Sequence, residues 1–233
     1  RSSFHLKQKD IDYINEKGLD TIRRMAPAIS EFPSKFIYNR LLKDNAEVIN
    51  GKKKRDNDLV IKSAPLSGDA LNLIDLAGTY CAADKNTDGS RFNILSAVIS
   101  FSTAVKAEQN HIETVGIITP YAAQVRLIRA MLKDYYTKGT TNVSCATVHQ
   151  FQGSESDVIV FDAVESYPKS EVGYLMGKEP NQVARLINVA ITRGKGKVIT
   201  VANARFWGNV FKGTNHIFYK LLQHIKNGKH QVI

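Results

Sequence analysis

From residue 115 onward the chain alternates short, wholly apolar runs with longer stretches in which apolar side chains recur every three or four positions. Val115–Thr119, Val143–Thr147, 158–164 and 198–202 are the apolar runs and predict strands. Because they are apolar throughout, the sheet they form must be covered on both faces. Between them, 122–136 sets Val125, Ile128 and Leu132 on one side of a helix, and 183–191 reads as a second helix. A third, 216–225, turns Ile217, Leu221, Leu222 and Ile225 inward. Strands alternating with helices predict a mainly parallel sheet with right-handed crossovers.

Upstream the pattern is looser. From Pro27, the positions Ile29, Phe32, Phe36, Ile37, Leu41 and Leu42 fit one apolar helical face. A strand is predicted at 71–76, ended by Gly78, and a helix of three or four turns at 94–107. The polar stretches 50–58 and 84–90 read as exposed loops. The first twenty residues are polar, with a short helix around 8–17. The expectation is one doubly wound α/β domain with a helical N-terminal segment. Neither a repeat nor a low-complexity stretch breaks it.

Composition changes this picture little, but charge changes it more. A chain of 233 residues with 43% hydrophobic and 23% charged residues can bury a full core as one domain. It carries no apolar run of membrane-spanning length and no charged-then-apolar leader, so the expected setting is cytoplasmic, or nuclear in a eukaryote. Cys81 and Cys145 lie far apart with no ligand-spaced partners and read as two buried thiols. The formal net charge is +10, and no Asp or Glu follows Glu179, whereas nine Lys and Arg do. That asymmetry favours a polyanionic partner, nucleotide or nucleic acid, although a solvated basic helix would give the same letters.

Two stretches carry the chemistry. The first, Thr147-Val148-His149-Gln150-Phe151-Gln152-Gly153-Ser154-Glu155, is a polar loop entering an apolar strand. Gly153 lets backbone approach a ligand closely, and Glu155 can accept hydrogen bonds from ribose hydroxyls. In the second, Arg185 and Arg193 stand eight residues apart in an otherwise apolar helix. That is a little over two turns, so both guanidiniums are expected on one face, as a clamp on polyphosphate. A simple turn before a strand, and arginines pointing into water, account for the same residues taken singly.

Together these stretches resemble motifs V and VI of superfamily 1 helicases. Three further segments resemble the 1B subgroup in the same order. Arg23-Arg24-Met25-Ala26-Pro27 with Phe32-Pro33-Ser34 is similar to the family's Tyr-Arg-Met-His-Pro and Phe-Pro-Ser, with Arg23 and Ala26 replacing Tyr and His. Ser90-Arg91-Phe92-Asn93 is similar to an Asn-containing stretch, with Ser96 where the family has Glu. Thr119-Pro120-Tyr121-Ala122-Ala123-Gln124 matches Thr-Pro-Tyr-x-x-Gln.

The resemblance implies a RecA-like domain over 21–233, preceded by a connecting segment, 1–20. It implies Arg24, Arg185 and Arg193 as catalytic arginines, with Gly153 and Glu155 binding nucleotide. Thr119, Pro120, Tyr121, Gln124, Thr147, His149 and Gln152 are implied to hold single-stranded RNA or DNA. Viewed singly, Tyr121 and His149 also read as ordinary packing residues.

A complete ATP site cannot be assembled from this sequence. Gly173-Tyr174-Leu175-Met176-Gly177-Lys178-Glu179 is one residue short of a phosphate-binding loop and ends in Glu, not Ser or Thr. Asp162 closes an apolar strand as in a Walker B element, but Ala163 follows it where a hydrolase needs Glu. The implied function is therefore the second motor domain of an ATP-dependent helicase. An upstream RecA-like domain would supply the phosphate-binding loop and the Mg²⁺ ligands, and no membrane partner is implied. A helicase-like strand-binding scaffold without motor activity is the alternative.

Overall fold

The computed structural model describes residues 21–137, 139–177, 179–228 and 230–233. The segment 1–20 and the helix expected at 8–17 lie outside the described residues. The elements run β1 (Thr21–Ile22), α1 (Pro27–Phe36), β2 (Lys43–Asp44), α2 (Ala46–Ile49), α3 (Lys52–Lys62) and β3 (Leu71–Asp75). There follow β4 (Ala83–Lys85), β5 (Arg91–Asn93), α4 (Ile94–Gln109), β6 (Val115–Thr119), α5 (Ala122–Tyr135), β7 (Val143–Thr147) and β8 (Ser156–Asp162). The chain closes with α6 (Tyr174–Gly177), α7 (Pro180–Thr192), β9 (Gly194–Ala202), α8 (Ala204–Phe211), α9 (Ile217–Asn227) and β10 (Gln231–Val232).

Six strands form one parallel sheet in the order β10-β3-β9-β8-β6-β7. Successive side chains alternate between its faces. Ile118, Ile159, Phe161 and Val198 join α1, α7, α8 and α9 on one side. Ile117, Val158, Val160, Ile199 and Val201 join α4 and α5 on the other. This is the doubly covered, RecA-like α/β arrangement expected from apolar runs between helices. Cys81 and Cys145 are free and buried, as expected. Among the described residues no helix is long and apolar enough to cross a membrane.

Two expectations fail locally, and a third is refined. The face expected to continue to Leu42 stops at Phe36, because Asn39 and Arg40 take left-handed φ values of 49° and 62° and reverse the chain. The stretch 50–58, expected as a loop, lies mostly within helix α3. That helix is polar on all but a narrow side and docks through Val60, which occupies the space a side chain on Gly196 of β9 would need, 2.6 Å from its Cβ position. The stretch 84–90 is largely the turn of a β4–β5 hairpin, closed by Asn86, whose backbone N–H donates to Ser90 O at 3.0 Å.

Helix α9 begins at an unusual cap, His216. Its Nδ1 accepts from Tyr219 N at 3.5 Å and its Nε2 bonds Met176 O at 2.7 Å, which defines a neutral ring. The ring stacks on Phe211 with centroids 3.8 Å apart. Burial pushes its pKa down to about 4, against the opposing bond to Met176. The unfolded chain therefore takes up this proton first. The stabilisation is complete above the usual value of 6.5 and is lost as pH falls towards 4, by at most about 1.4 kcal/mol per pH unit. Thermal melts between pH 7 and pH 4.5 should fall more steeply for wild type than for His216→Asn, which keeps a capping acceptor but does not titrate. Parallel profiles would refute the role given to this ring.

Candidate functional site

Strands β7 and β8 are parallel and flank β6, so the connection 148–155 must return from the C-terminal edge of the sheet to its N-terminal edge. Eight residues do this without a helix by lying across the sheet face. Phe151 settles over Gly116 of β6, where an added Cβ would meet its ring at 2.5 Å and Ile159 at 2.7 Å. At one end of the crossing stand Thr147, His149 and Gln152, and at the other Gly153 and Glu155. One short connection thus spans the two groups of residues singled out from the sequence.

At the N-terminal edge, Arg24 Nη1 pairs with Glu155 Oε2 at 2.7 Å, both side chains about two-fifths exposed. So exposed a pair contributes about 0–1 kcal/mol and is readily exchanged for another partner. Arg193 follows the last residue of α7, and its own carbonyl accepts from Ser156 N at 3.0 Å. Its guanidinium makes only long bonds, 3.4 Å to Ser154 O and 3.4 Å to Thr192 Oγ1. Its Nε is buried with no hydrogen-bond partner. Burial lowers the pKa of Arg193, the charge of Arg24 adds to that effect and Glu155 opposes it. Arg24 is paired with Glu155, and Arg193 stands close enough to feel both charges, so that two guanidiniums face one carboxylate, an arrangement suited to an anion such as polyphosphate.

Gly153 adopts φ of 95°, and nothing lies within 4 Å of an added Cβ. Backbone conformation, not crowding within the chain, is what requires glycine there, and the space beside it is open. Among the described residues no group of three His, Cys, Asp or Glu side chains is gathered as a metal ion would need.

Helix α3, read from the sequence as a loop, supports the cluster. Asn57 Nδ2 donates to Arg24 O at 3.1 Å and Lys53 Nζ to Arg23 O at 2.7 Å. No motif announced either residue. Asn57 is buried in a helix otherwise polar and largely open, a signal visible only once the helix is known.

At the C-terminal edge the expected strand residues divide. Thr119 is fully buried, with its carbonyl taken by Val148 N at 3.1 Å. Gln124 is also fully buried: its Oε1 accepts from Asn93 N at 2.9 Å, and its Nε2 donates to Asp162 Oδ2 at 2.7 Å. Neither faces a groove, a correction to the reading that both hold the strand directly. They fix the turn that carries their neighbours. Asp162, beneath Gln124, has its pKa raised to about 6 by burial, with the Gln124 hydrogen bond opposing.

Pro120, Tyr121, Thr147 and His149 do line a groove of about 750 Å³, whose walls include Lys85, Arg91 and Tyr174. The hydroxyl of Tyr121 is committed to Glu165, which also binds Arg91 Nη1 and accepts from Gly173 N at 2.9 Å. Burial, then Glu165, pushes the Tyr121 phenol up, so it remains a donor. Arg91 and Glu165 were not among the expected site residues, although a lone carboxylate just past an apolar strand is a visible oddity.

Gln152 lines a second groove with His149, Leu175 and Arg185. The sequence expectation grouped Arg185 with Arg193, but α7 ends at Thr192 and Arg193 turns towards Ser154. The structure brings Arg24, Glu155 and Arg193 together and sets Arg185 beside His149 and Gln152 instead.

Comparison with known proteins gives the chain its relatives. The AAA_12 family model, described as an AAA domain, matches residues 2–205. The "DNA polymerase alpha-associated DNA helicase A" of Schizosaccharomyces pombe is 30% identical over 206 residues, 84% of this chain and 29% of that protein. Its namesake in Saccharomyces cerevisiae is 31% identical, over 80% of this chain and 27% of that protein. The "Regulator of nonsense transcripts 1 homolog" of Drosophila melanogaster is 29% identical, over 80% of this chain and 15% of that protein. The chain thus spans less than a third of each of these relatives. With the helicase motifs in order along it and a family model over most of its length, the chain belongs to the AAA_12 family of AAA domains and is a superfamily 1 helicase domain.

Proposed function

We propose that this chain is the second motor domain of an ATP-dependent helicase or translocase acting on single-stranded RNA or DNA. The observation that carries the reading is the crossing 148–155, a single rigid connection between a groove lined by His149 and Thr147 and a cluster of Arg24, Glu155 and Arg193. ATP would lie between this cluster and a preceding RecA-like domain. In the closed cleft Arg24 exchanges Glu155 for phosphate oxygens, and Glu155 turns to the ribose hydroxyls. Arg193 meets the charge that grows as the γ-phosphate leaves for water, the role of an arginine finger. Mg²⁺, with ligands from the preceding domain, would neutralise the β- and γ-phosphates.

Because Phe151 is seated over Gly116, a shift at Glu155 is passed along the connection to His149 instead of being absorbed by slack. Closure and opening of the cleft would in this way move the strand-binding groove along the nucleic acid. The test is phosphate release by this chain joined to its natural upstream segment, with and without single-stranded RNA or DNA. Strand-stimulated turnover in the joined protein, with none in this chain alone, is the expected result. Strand binding without turnover in the joined protein would instead support a helicase-like scaffold.

A further inference from the structure

We infer that Arg185 holds a phosphate of the bound strand, extending the groove along helix α7, and takes no part in the γ-phosphate cluster. The inference rests on the strand-binding reading of the groove given above. Arg185 precedes Arg193 by eight residues, about 12 Å along the axis and about 80° beyond two full turns. A terminal phosphate seated between Arg24 and Arg193 therefore lies at the opposite end of the helix from Arg185, off its face.

What surrounds Arg185 suits a nucleic-acid backbone. It is exposed, and among the described residues it has no carboxylate partner. Among the described residues its groove contains no Asp or Glu; the polar groups there are His149, Gln152, Gln182 and Asn188. Amides and imidazole can donate to phosphate or meet base edges without competing for the guanidinium.

The two grooves adjoin. His149 and Leu175 line both, so the path runs from Lys85 and Tyr121, past His149, to Gln152 and Arg185. A strand following it passes an aromatic ring, an imidazole and then an arginine, the alternation of stacking surface and cation that single strands require. Arg185 supplies the cation of the second groove, whose lining includes no other Lys or Arg among the described residues.

The test is fluorescence anisotropy of this chain with labelled oligouridylate and oligothymidylate over a range of salt. Arg185→Ala should bind about tenfold more weakly near 50 mM salt, with a salt slope shallower by about 0.7, the signature of one lost phosphate contact. Arg185→Lys should restore the slope and part of the affinity. Arg193→Ala should bind strands like wild type. In the joined protein, Arg185→Ala should raise the strand concentration that half-maximally stimulates turnover by about tenfold. Wild-type affinity and slope in Arg185→Ala would overturn the inference, as would loss of strand-independent turnover like that of Arg193→Ala. If the unaltered chain binds neither strand at any salt, the groove reading fails first and takes this inference with it.

Discussion

Arg193→Ala in the protein carrying both motor domains should lower kcat for ATP by about 10³-fold, with little change in strand affinity. The size follows from where the guanidinium sits. Its two hydrogen bonds inside the chain are long, its Nε is buried without a partner, and burial already disfavours its charge. The native contacts therefore contribute little to stability, and the guanidinium is held ready for an anion that arrives. Charge stabilisation realised only in the transition state appears in kcat, whereas uniform binding would appear in KM. Arg193→Lys should not rescue turnover, because a single ammonium cannot reproduce the planar fork that reaches two phosphate oxygens. Melting of the variant close to wild type would exclude a folding defect. Turnover within tenfold of wild type would remove Arg193 from the chemistry.

Arg24→Ala offers a contrast that separates the two arginines. Arg24 spends its resting state on Glu155, so its removal also frees that carboxylate. Under the proposed function the Arg24 and Arg193 side chains act on one charge, and they are close enough to influence one another. Their effects on kcat should therefore be far from additive when combined.

Several features of this fold were legible in the sequence for physical reasons. Val115–Thr119 and Val143–Thr147 were predicted to the residue: the first is buried along its whole length and stopped by Pro120, and the second, at the sheet edge, keeps Val143 and Cys145 inward while Ser144 is exposed. Helix α3 was not legible: its contact with the sheet is made by one narrow side, and Asn50-Gly51 followed by four basic residues resembles a loop in any local window. At the site, residue types and order were visible but directions were not. Thr119 and Gln124 look like surface ligands at a strand end, and nothing in a doubly buried strand's pattern says that their side chains turn inward. The pairing of Arg24 with Glu155, 131 residues apart, has no local signal at all, and the family motifs gave the two residues separate roles without pairing them. Arg185 and Arg193 share a helix by sequence, yet that helix ends at Thr192 and Arg193 turns towards Ser154, away from the groove that Arg185 lines.

Glu165→Leu should destabilise the domain by about 3–5 kcal/mol, a large share of the 5–15 typical of a folded domain. Glu165 is reached through Val164, a β-branched residue at φ of 65°, with Glu165 N bonded to Ala163 O at 2.7 Å. Such a γ-turn is strained and persists only where its surroundings over-determine it. Here Asp162 Oδ1 accepts from Val164 N at 3.0 Å and Val164 O accepts from Asn93 Nδ2 at 3.0 Å. The turn aims the carboxylate at Tyr121, Arg91 and Gly173 N, the floor of the strand groove. Burial raises the pKa of Glu165, while Tyr121 and Arg91 act to keep it ionised. Leucine would leave the Arg91 guanidinium, only 6% exposed, without its counter-charge, and would orphan a hydroxyl and a backbone N–H as well. Glu165→Gln retains acceptors at the same place and should cost clearly less. Arg91→Met combined with Glu165→Leu should recover much of the loss, since the unpaired charge, not the missing pair, carries most of the penalty. Urea unfolding of the four proteins decides it. A double variant no more stable than Glu165→Leu alone would mean that the cost comes from Tyr121 and Gly173, and that the buried ion pair does not hold the floor together.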